Sequence, residues 1–257
     1  MIFSLKQFLK YYFISVTKFK VHSPFVFSFI QQILEKEIDY NKNLQVEKLI
    51  NNYKKNNLNL KNEDYGAGSK VNKKDTISIK HLLKNVATSK KYGKVLNNIV
   101  NYYKLENCIE LGTSLGIGTT FLSSNFNTIT TIEGNKDLAA LTENQLSKIG
   151  INNIRVLNDE FDNILTDVLN ESSFDLLFID GNHTKISTLK YFDLALKYKT
   201  NNSVIIFDDI NWSKGMNEAW NKIKNTDEVM LSIDLFKFGI VFFNKDFVTK
   251  EHFVLWY

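Results

Sequence analysis

The sequence predicts an α/β protein. Its core is a seven-stranded, mostly parallel sheet with helices on both faces, an antiparallel C-terminal hairpin strand, and a helical N-terminal extension. Three observations predict it. From residue 107 onward, short apolar runs alternate with helical segments, the signature of parallel strands joined by crossover helices. Those runs are continuously apolar, as strands buried on both faces are. The last two, "EVMLSID" and "FGIVFFN", are separated only by "LFK", too short for a crossover, so that pair is antiparallel.

The elements follow in order. Residues 1–57 read as helices, including "FVFSFIQQILEKEI", and 58–75 as a polar loop. Residues 77–103 read as one or two helices. "NCIEL" is the first strand and "TTFLSSNF" the helix after it. "TITTIEG" is a strand. "NKDLAALTENQLSKIG" is a helix with Asn135 as N-cap and Gly150 just past its end. "NIRVLND", "FDLLFIDG" and "SVIIFDD" are strands, each followed by a helix: "FDNILTDVLNE", "HTKISTLKYFDLALKYK" and "SKGMNEAWNKIK". The chain divides into residues 1–84, a helical extension and substrate lid, and 85–257, the catalytic domain.

Composition narrows the classes. The chain has 257 residues, 44% hydrophobic, and a formal charge of +4 with its basic residues dispersed, which does not suit a dedicated nucleic-acid binder. The single cysteine, Cys108, excludes an internal disulfide framework and fits a reducing cytoplasm. It sits within a strand and reads as packing. The N-terminal "MIFSLKQFLKYYFISVTKFK" is aromatic and apolar, but Lys6, Lys10, Lys18 and Lys20 interrupt it. No run reaches the ~18 apolar residues of a membrane span, so an amphipathic helix is expected.

Two glycine stretches compete as a cofactor turn. Such a turn follows a buried strand, opens a helix, and is answered by an acid about 20 residues on that binds ribose hydroxyls. "CIELGTSLGIGTTFLSS" meets each condition. Gly112, Gly116 and Gly118 permit close backbone approach, Thr113 and Ser114 lie between them, and Glu133 beside Gly134 ends the next strand 21 residues after Gly112. "NEDYGAGSK" follows a polar segment and precedes no helix. It reads instead as a surface turn or a lid element, with Tyr65 as contact residue and Gly66 and Gly68 as its flexibility. Glu110, just before the first glycine, would repel a pyrophosphate but suits a cofactor carrying an ammonium and a cationic sulfur.

Five strand–helix units closed by an antiparallel hairpin, with this turn and Glu110, resemble the Rossmann-like fold of class I S-adenosylmethionine (SAM)-dependent methyltransferases over roughly residues 85–245. The resemblance implies SAM as cofactor, held by Glu110, Gly112, Thr113, Ser114, Gly116, Gly118, Glu133, Gly134, Asp159 and Asp180. "LFIDGNH" and "IIFDDINW" run apolar strands straight into carboxylates, so Asp180, Asp208 and Asp209 should converge near the cofactor, where clustered carboxylates need a cation or protons between them. Their positions resemble the Mg²⁺ or other divalent-metal ligands of catechol and caffeoyl-CoA type O-methyltransferases, with Asp209 where those enzymes carry Asn. His183 stands three residues after Asp180, at the offset of the lysine base of those enzymes.

The reaction this implies is direct transfer: metal-bound substrate hydroxyl, proton to His183, and in-line attack on the SAM methyl, with His183 and Asp180 catalytic. The acceptor is a small molecule. The rivals are an RNA methyltransferase and a catalytically inactive SAM-binding interaction protein. A DNA amino-methylation motif is missing, because the fourth strand ends in "IDGNH" and the only proline is Pro24. An aromatic "HSPF" segment, a "GAGS" turn and this core together resemble a group of bacterial proteins without an assigned substrate. The extension is expected to pack on the domain or on a second subunit of a homodimer. Trp212 is placed near the pocket mouth, to stack on an acceptor ring or to pack the next helix.

Overall fold

Alternation along the buried strands decides how the layers form. In the computed structural model, which describes residues 2–61, 76–85, 87–247 and 249–257, odd and even positions of each strand feed different cores. Cys108, Leu176, Phe178, Ile206 and Ile240 face one helical layer. Ile109, Leu111, Leu177, Ile179 and Phe207 face the other. That two-sided burial is why the strands read as unbroken apolar runs.

The N-terminal region supplies α1 (Ile2–Ile14), α2 (Pro24–Phe29) running into a π-helical turn at Ile30–Glu35, and α3 (Tyr40–Lys54). Asn98 stabilises the end of that turn by donating to the carbonyls of Ile33 and Lys36, at 3.0 and 2.8 Å. β1 (Asn59–Lys61) and β2 (Thr76–Ser78) pair antiparallel, followed by α4 (Ile79–Asn85) and α5 (Lys90–Tyr103). The loop expected over 58–75 therefore begins with a strand. The lid reading of Tyr65, Gly66 and Gly68 lies outside the described residues.

The core then alternates as expected: β3 (Asn107–Leu111), α6 (Ile117–Leu122), β4 (Thr128–Glu133), α7 (Lys136–Lys148), β5 (Ile154–Asn158), α8 (Phe161–Glu171), β6 (Phe174–Ile179), α9 (Lys185–Ala195), β7 (Lys199–Phe207), α10 (Lys214–Lys224), β8 (Leu231–Asp234), β9 (Gly239–Phe242) and β10 (Glu251–Val254). Asn135 caps α7 through its side chain, which accepts from Leu138 N, and Gly150 takes a left-handed φ of 82° just beyond it. The sheet order is β10-β8-β9-β7-β6-β3-β4-β5, with β9 antiparallel to both neighbours and every other pairing parallel. β10 makes an eighth strand where seven were expected. "EHFV" is too short and polar to announce itself, and it gains its place by pairing with β8.

Order reverses at β3, which pairs with β4 on one side and β6 on the other. This switch point opens a crevice at the carboxyl ends of the strands, where ligands bind in doubly wound folds. The extension walls one face of the sheet. Val46, Leu49 and Tyr53 of α3 share a core with Leu96, Ile99 and Phe121, and Lys42 donates to Thr120 O and Ser123 Oγ at 3.0 and 2.8 Å, capping the end of α6.

Candidate active site

The turn after β3 is built around its glycines. Gly112 has φ 104°, and a Cβ there would lie 2.3 Å from the Asp180 carbonyl oxygen. Only glycine lets the ends of β3 and β6 approach so closely. Asp180 N donates back to Leu111 O at 2.9 Å. Gly118 serves a different purpose: a Cβ would sit 2.8 Å from Glu110 Oε1, so its absence makes room for that carboxylate.

Glu110 is 1% exposed. Its Oε2 accepts from Thr119 Oγ1 at 2.5 Å and Thr131 Oγ1 at 2.7 Å. Among the described residues no cation pairs with it. Burial pushes its pKa up to about 7, the two threonine hydrogen bonds hold it down, and Glu133 adds to the rise. A buried carboxylate against this turn with no cation beside it could take an ammonium group.

Glu133 ends β4 and clasps the same turn. Its Oε2 accepts from Ser114 N at 2.9 Å and its Oε1 from Asn135 N at 3.0 Å. Burial raises its pKa, and those two amides oppose the rise. Ser114 takes φ 48°, and its buried Oγ has no partner among the described residues. Asn158 fastens Glu133 and Gly134 by donating to both carbonyls. Asp159 is occupied locally, its Oδ1 accepting from Glu160 N and Asn163 Nδ2. A cavity of about 500 Å³ adjoins the turn through Thr88 and Ile117, with Lys54, Lys80, Lys84 and Lys90 in its lining. Cys108 is fully buried and its thiol is pushed up to about 12 by burial, so it packs rather than reacts.

At the ends of β6 and β7 the acids gather, but not in the trio the sequence predicts. Asp180, His183 and Asp208 bring ligand atoms within 4.8 Å of one another. Asp209 stands outside that group. It adopts φ 53°, and its amide donates to Asp208 Oδ1 at 2.8 Å. His183 takes its place, with Nε2 3.7 Å from Asp180 Oδ1. Burial and the adjacent Asp208 raise the Asp180 pKa well above the carboxylate range.

Sequence reasoning missed Lys237. Its Nζ lies 2.8 Å from Asp208 Oδ2 and 3.7 Å from Asp209 Oδ1. Burial alone would lower its pKa, but Asp208, Asp209 and Asp180 together raise it. The β8–β9 turn carries it there, pinned by Tyr92 OH donating to Leu235 O, Asn211 to Phe236 O, and Ile210 N to Lys237 O. The usable signal was the short "LFK" link itself, which must fold back over the carboxyl ends where the acids lie. Trp212 is 55% exposed, and its amide donates to Asp209 O. His22 and His81 do not belong to this cluster, and His252 is engaged with Ser232 and Lys224.

The sheet order and crossovers give the class of fold: it is the Rossmann-like fold that SAM-dependent methyltransferases have. Residues 109–210, a stretch that spans the turn and both acid-bearing strand ends, match the family model described as a methyltransferase domain. The chain is similar in structure to an O-methyltransferase of Bacillus cereus in complex with S-adenosylhomocysteine (SAH), at TM-score 0.56 and 18% identity over 84% of this chain and 96% of the other. It is similar to the O-methyltransferase TomG of Streptomyces achromogenes, involved in tomaymycin synthesis and in complex with SAM, at 0.56 and 15% over 84% and 94%. A SAH-bound methyltransferase of Podospora anserina matches at 0.55 and 14% over 63% and 81%. No curated protein matches in sequence.

Proposed function

We propose that the protein transfers the methyl group of SAM to a hydroxyl oxygen of a small-molecule acceptor, with His183 as general base. The observation that carries this reading is the His183–Asp180 pair at the end of β6, whose Asp180 carbonyl lies against the glycine of the cofactor turn. A base, its orienting acid and the cofactor turn thus share one crevice. Glu110 would bind the SAM ammonium, and Glu133 would use its remaining lone pairs for ribose hydroxyls.

In the step itself the acceptor oxygen attacks the methyl carbon, the carbon–sulfur bond breaks, and SAH leaves with the electron pair. The imidazole of His183 takes the hydroxyl proton. Asp180 stands beside the imidazole and positions it. Most of the acceleration comes from alignment of oxygen, methyl and sulfur.

The donors Asp180, His183 and Asp208 are of a kind that holds a hard divalent ion. The ammonium of Lys237, however, already sits on Asp208 and near Asp209, and a dication in the same cluster would face it. That competition favours a reaction that runs without a resident dication. Lys237 supplies the positive charge instead.

The test is turnover of SAM to SAH across phenols, sugars and carboxylates, with and without EDTA. Failure to bind SAM would overturn the reading, and loss of activity in EDTA restored by Mg²⁺ would overturn its metal-free form. An RNA acceptor is the second reading, favoured by the four lysines around the cavity beside Thr88. It requires methylation of RNA that weakens steeply with salt.

A further inference from the structure

Helix α1 faces the wrong way for a packing helix. Tyr11 is its buried contact, 3% exposed and donating to Leu255 O. On the opposite side Leu5, Leu9, Tyr12 and Phe13 follow an i, i+4, i+7, i+8 spacing that forms one stripe. They are 62%, 50%, 56% and 79% exposed. Lys6 and Lys10, both exposed and one turn apart, run along the edge of that stripe. Trp256, at 44%, extends it. Trp256 packs edge-on to Tyr12 at 5.4 Å and stacks on Tyr11 at 5.8 Å.

Charge says what covers this face. Before Glu35 the chain contains Lys6, Lys10, Lys18 and Lys20 and no acidic residue. Glu35 pairs with Lys18 at 2.8 Å, which leaves Lys6 and Lys10 as the exposed basic groups of the helix, with Asp234 near Lys10 and Lys20 exposed further along the chain. In a twofold contact the same surface meets itself, so lysines would approach lysines. An anionic bilayer satisfies both parts: its acyl boundary takes Leu5, Leu9 and Phe13, its phosphates take the lysines, and Tyr12 and Trp256 suit the headgroup level. No helix among the described residues is long and apolar enough to cross a membrane, so α1 would lie in the surface.

We infer that α1 is an interfacial anchor that docks the protein on an anionic lipid surface. The same helix touches the active site's supporting turn. Phe8 and Tyr11 pack on Phe236 at 5.2 and 5.3 Å, and the next residue is Lys237. The docked face therefore lies at the end of the sheet that carries the acids. This inference goes beyond the proposed reaction and stands whether or not methyl transfer occurs.

The test is co-sedimentation of the full chain with vesicles of phosphatidylcholine alone and of equal parts phosphatidylcholine and phosphatidylglycerol. Binding should be confined largely to the anionic vesicles, fall at high salt, and blue-shift Trp256 fluorescence. Leu9→Asp with Phe13→Asp alters only exposed positions, so thermal unfolding should stay close to wild type while binding is lost. Lys6→Glu with Lys10→Glu should weaken binding by at least about tenfold. Three results would overturn the inference: no binding to anionic vesicles, unchanged binding by the Leu9/Phe13 variant, or a lipid-free dimer that this variant dissociates.

Discussion

Lys237 Nζ stands 2.8 Å from Asp208 Oδ2, across a link of 29 residues, and joins the end of β7 to the β8–β9 turn. Asp208 is 3% exposed, so its partner matters more than a surface ion pair would. Lys237→Met should destabilise the protein by about 2 kcal/mol, less than a fully buried pair because the lysine is 29% exposed. It should also cut turnover, measured as SAH formation at saturating SAM. Removing the ammonium frees the carboxylates for a dication. Mn²⁺ binding by electron paramagnetic resonance should accordingly be stronger in the variant than in wild type, and equal binding in the two would refute this role for Lys237.

His183→Ala should lower turnover by about 100-fold or more while SAM affinity changes less than about threefold. The residue sits 3.7 Å from Asp180 and outside the Glu110–Glu133 clasp on the cofactor turn. Calorimetric loss of SAM binding in this variant would sink the assignment of His183 as base.

Glu110 predicts a pH dependence. Its pKa in the ligand-free fold is about 7, raised from an ordinary 4.5. The stability it contributes is therefore complete below pH 4.5 and is lost as pH rises through 7. Under the proposed role of Glu110 as partner of the SAM ammonium, the sign for SAM binding is opposite, because the ammonium needs the ionised carboxylate. Affinity should climb with pH up to about 7 and level off, with up to about a tenfold loss for each unit below. Glu110→Gln should bind weakly with that dependence gone, as titration calorimetry at several pH values would show.

Gly112→Ala tests the switch point itself. The new methyl would meet the Asp180 carbonyl at 2.3 Å on a backbone with φ 104°. Both the strain and the clash displace β6 from β3. A loss of about 3 kcal/mol is expected, roughly 6–12 °C in Tm by calorimetry. An unperturbed Tm would mean that the two strand ends are not locked together.

Much of this was legible because strand burial writes itself into the sequence. The runs from "NCIEL" to "SVIIFDD" appear where expected, Asn135 caps its helix, and Gly112 meets the next strand end. What stayed hidden depends on tertiary pairing. The sequence holds 32 lysines and arginines, and only the short "LFK" link sets Lys237 apart; its partners appear once β9 inserts between β7 and β8. Asp209 looked equivalent to Asp208, yet a left-handed backbone sets it outside the cluster and leaves His183 in its place. The eighth strand and the outward stripe of α1 were likewise invisible, since a periodicity tells that a helix has two faces but not which one the core takes.

The joining of residues 11–16 to residues 254–257 sets a timetable for synthesis. Val16 N donates to Val254 O, Trp256 N to Val16 O, and Tyr257 N to Tyr11 Oη, at 2.8, 3.0 and 2.9 Å. Helix α1 leaves the ribosome well before these partners, which are made more than two hundred residues later. A chain growing at about 5–20 residues per second leaves the helix undocked for roughly ten seconds or longer. Throughout that interval both of its faces, not one, are available to chaperones or to lipid.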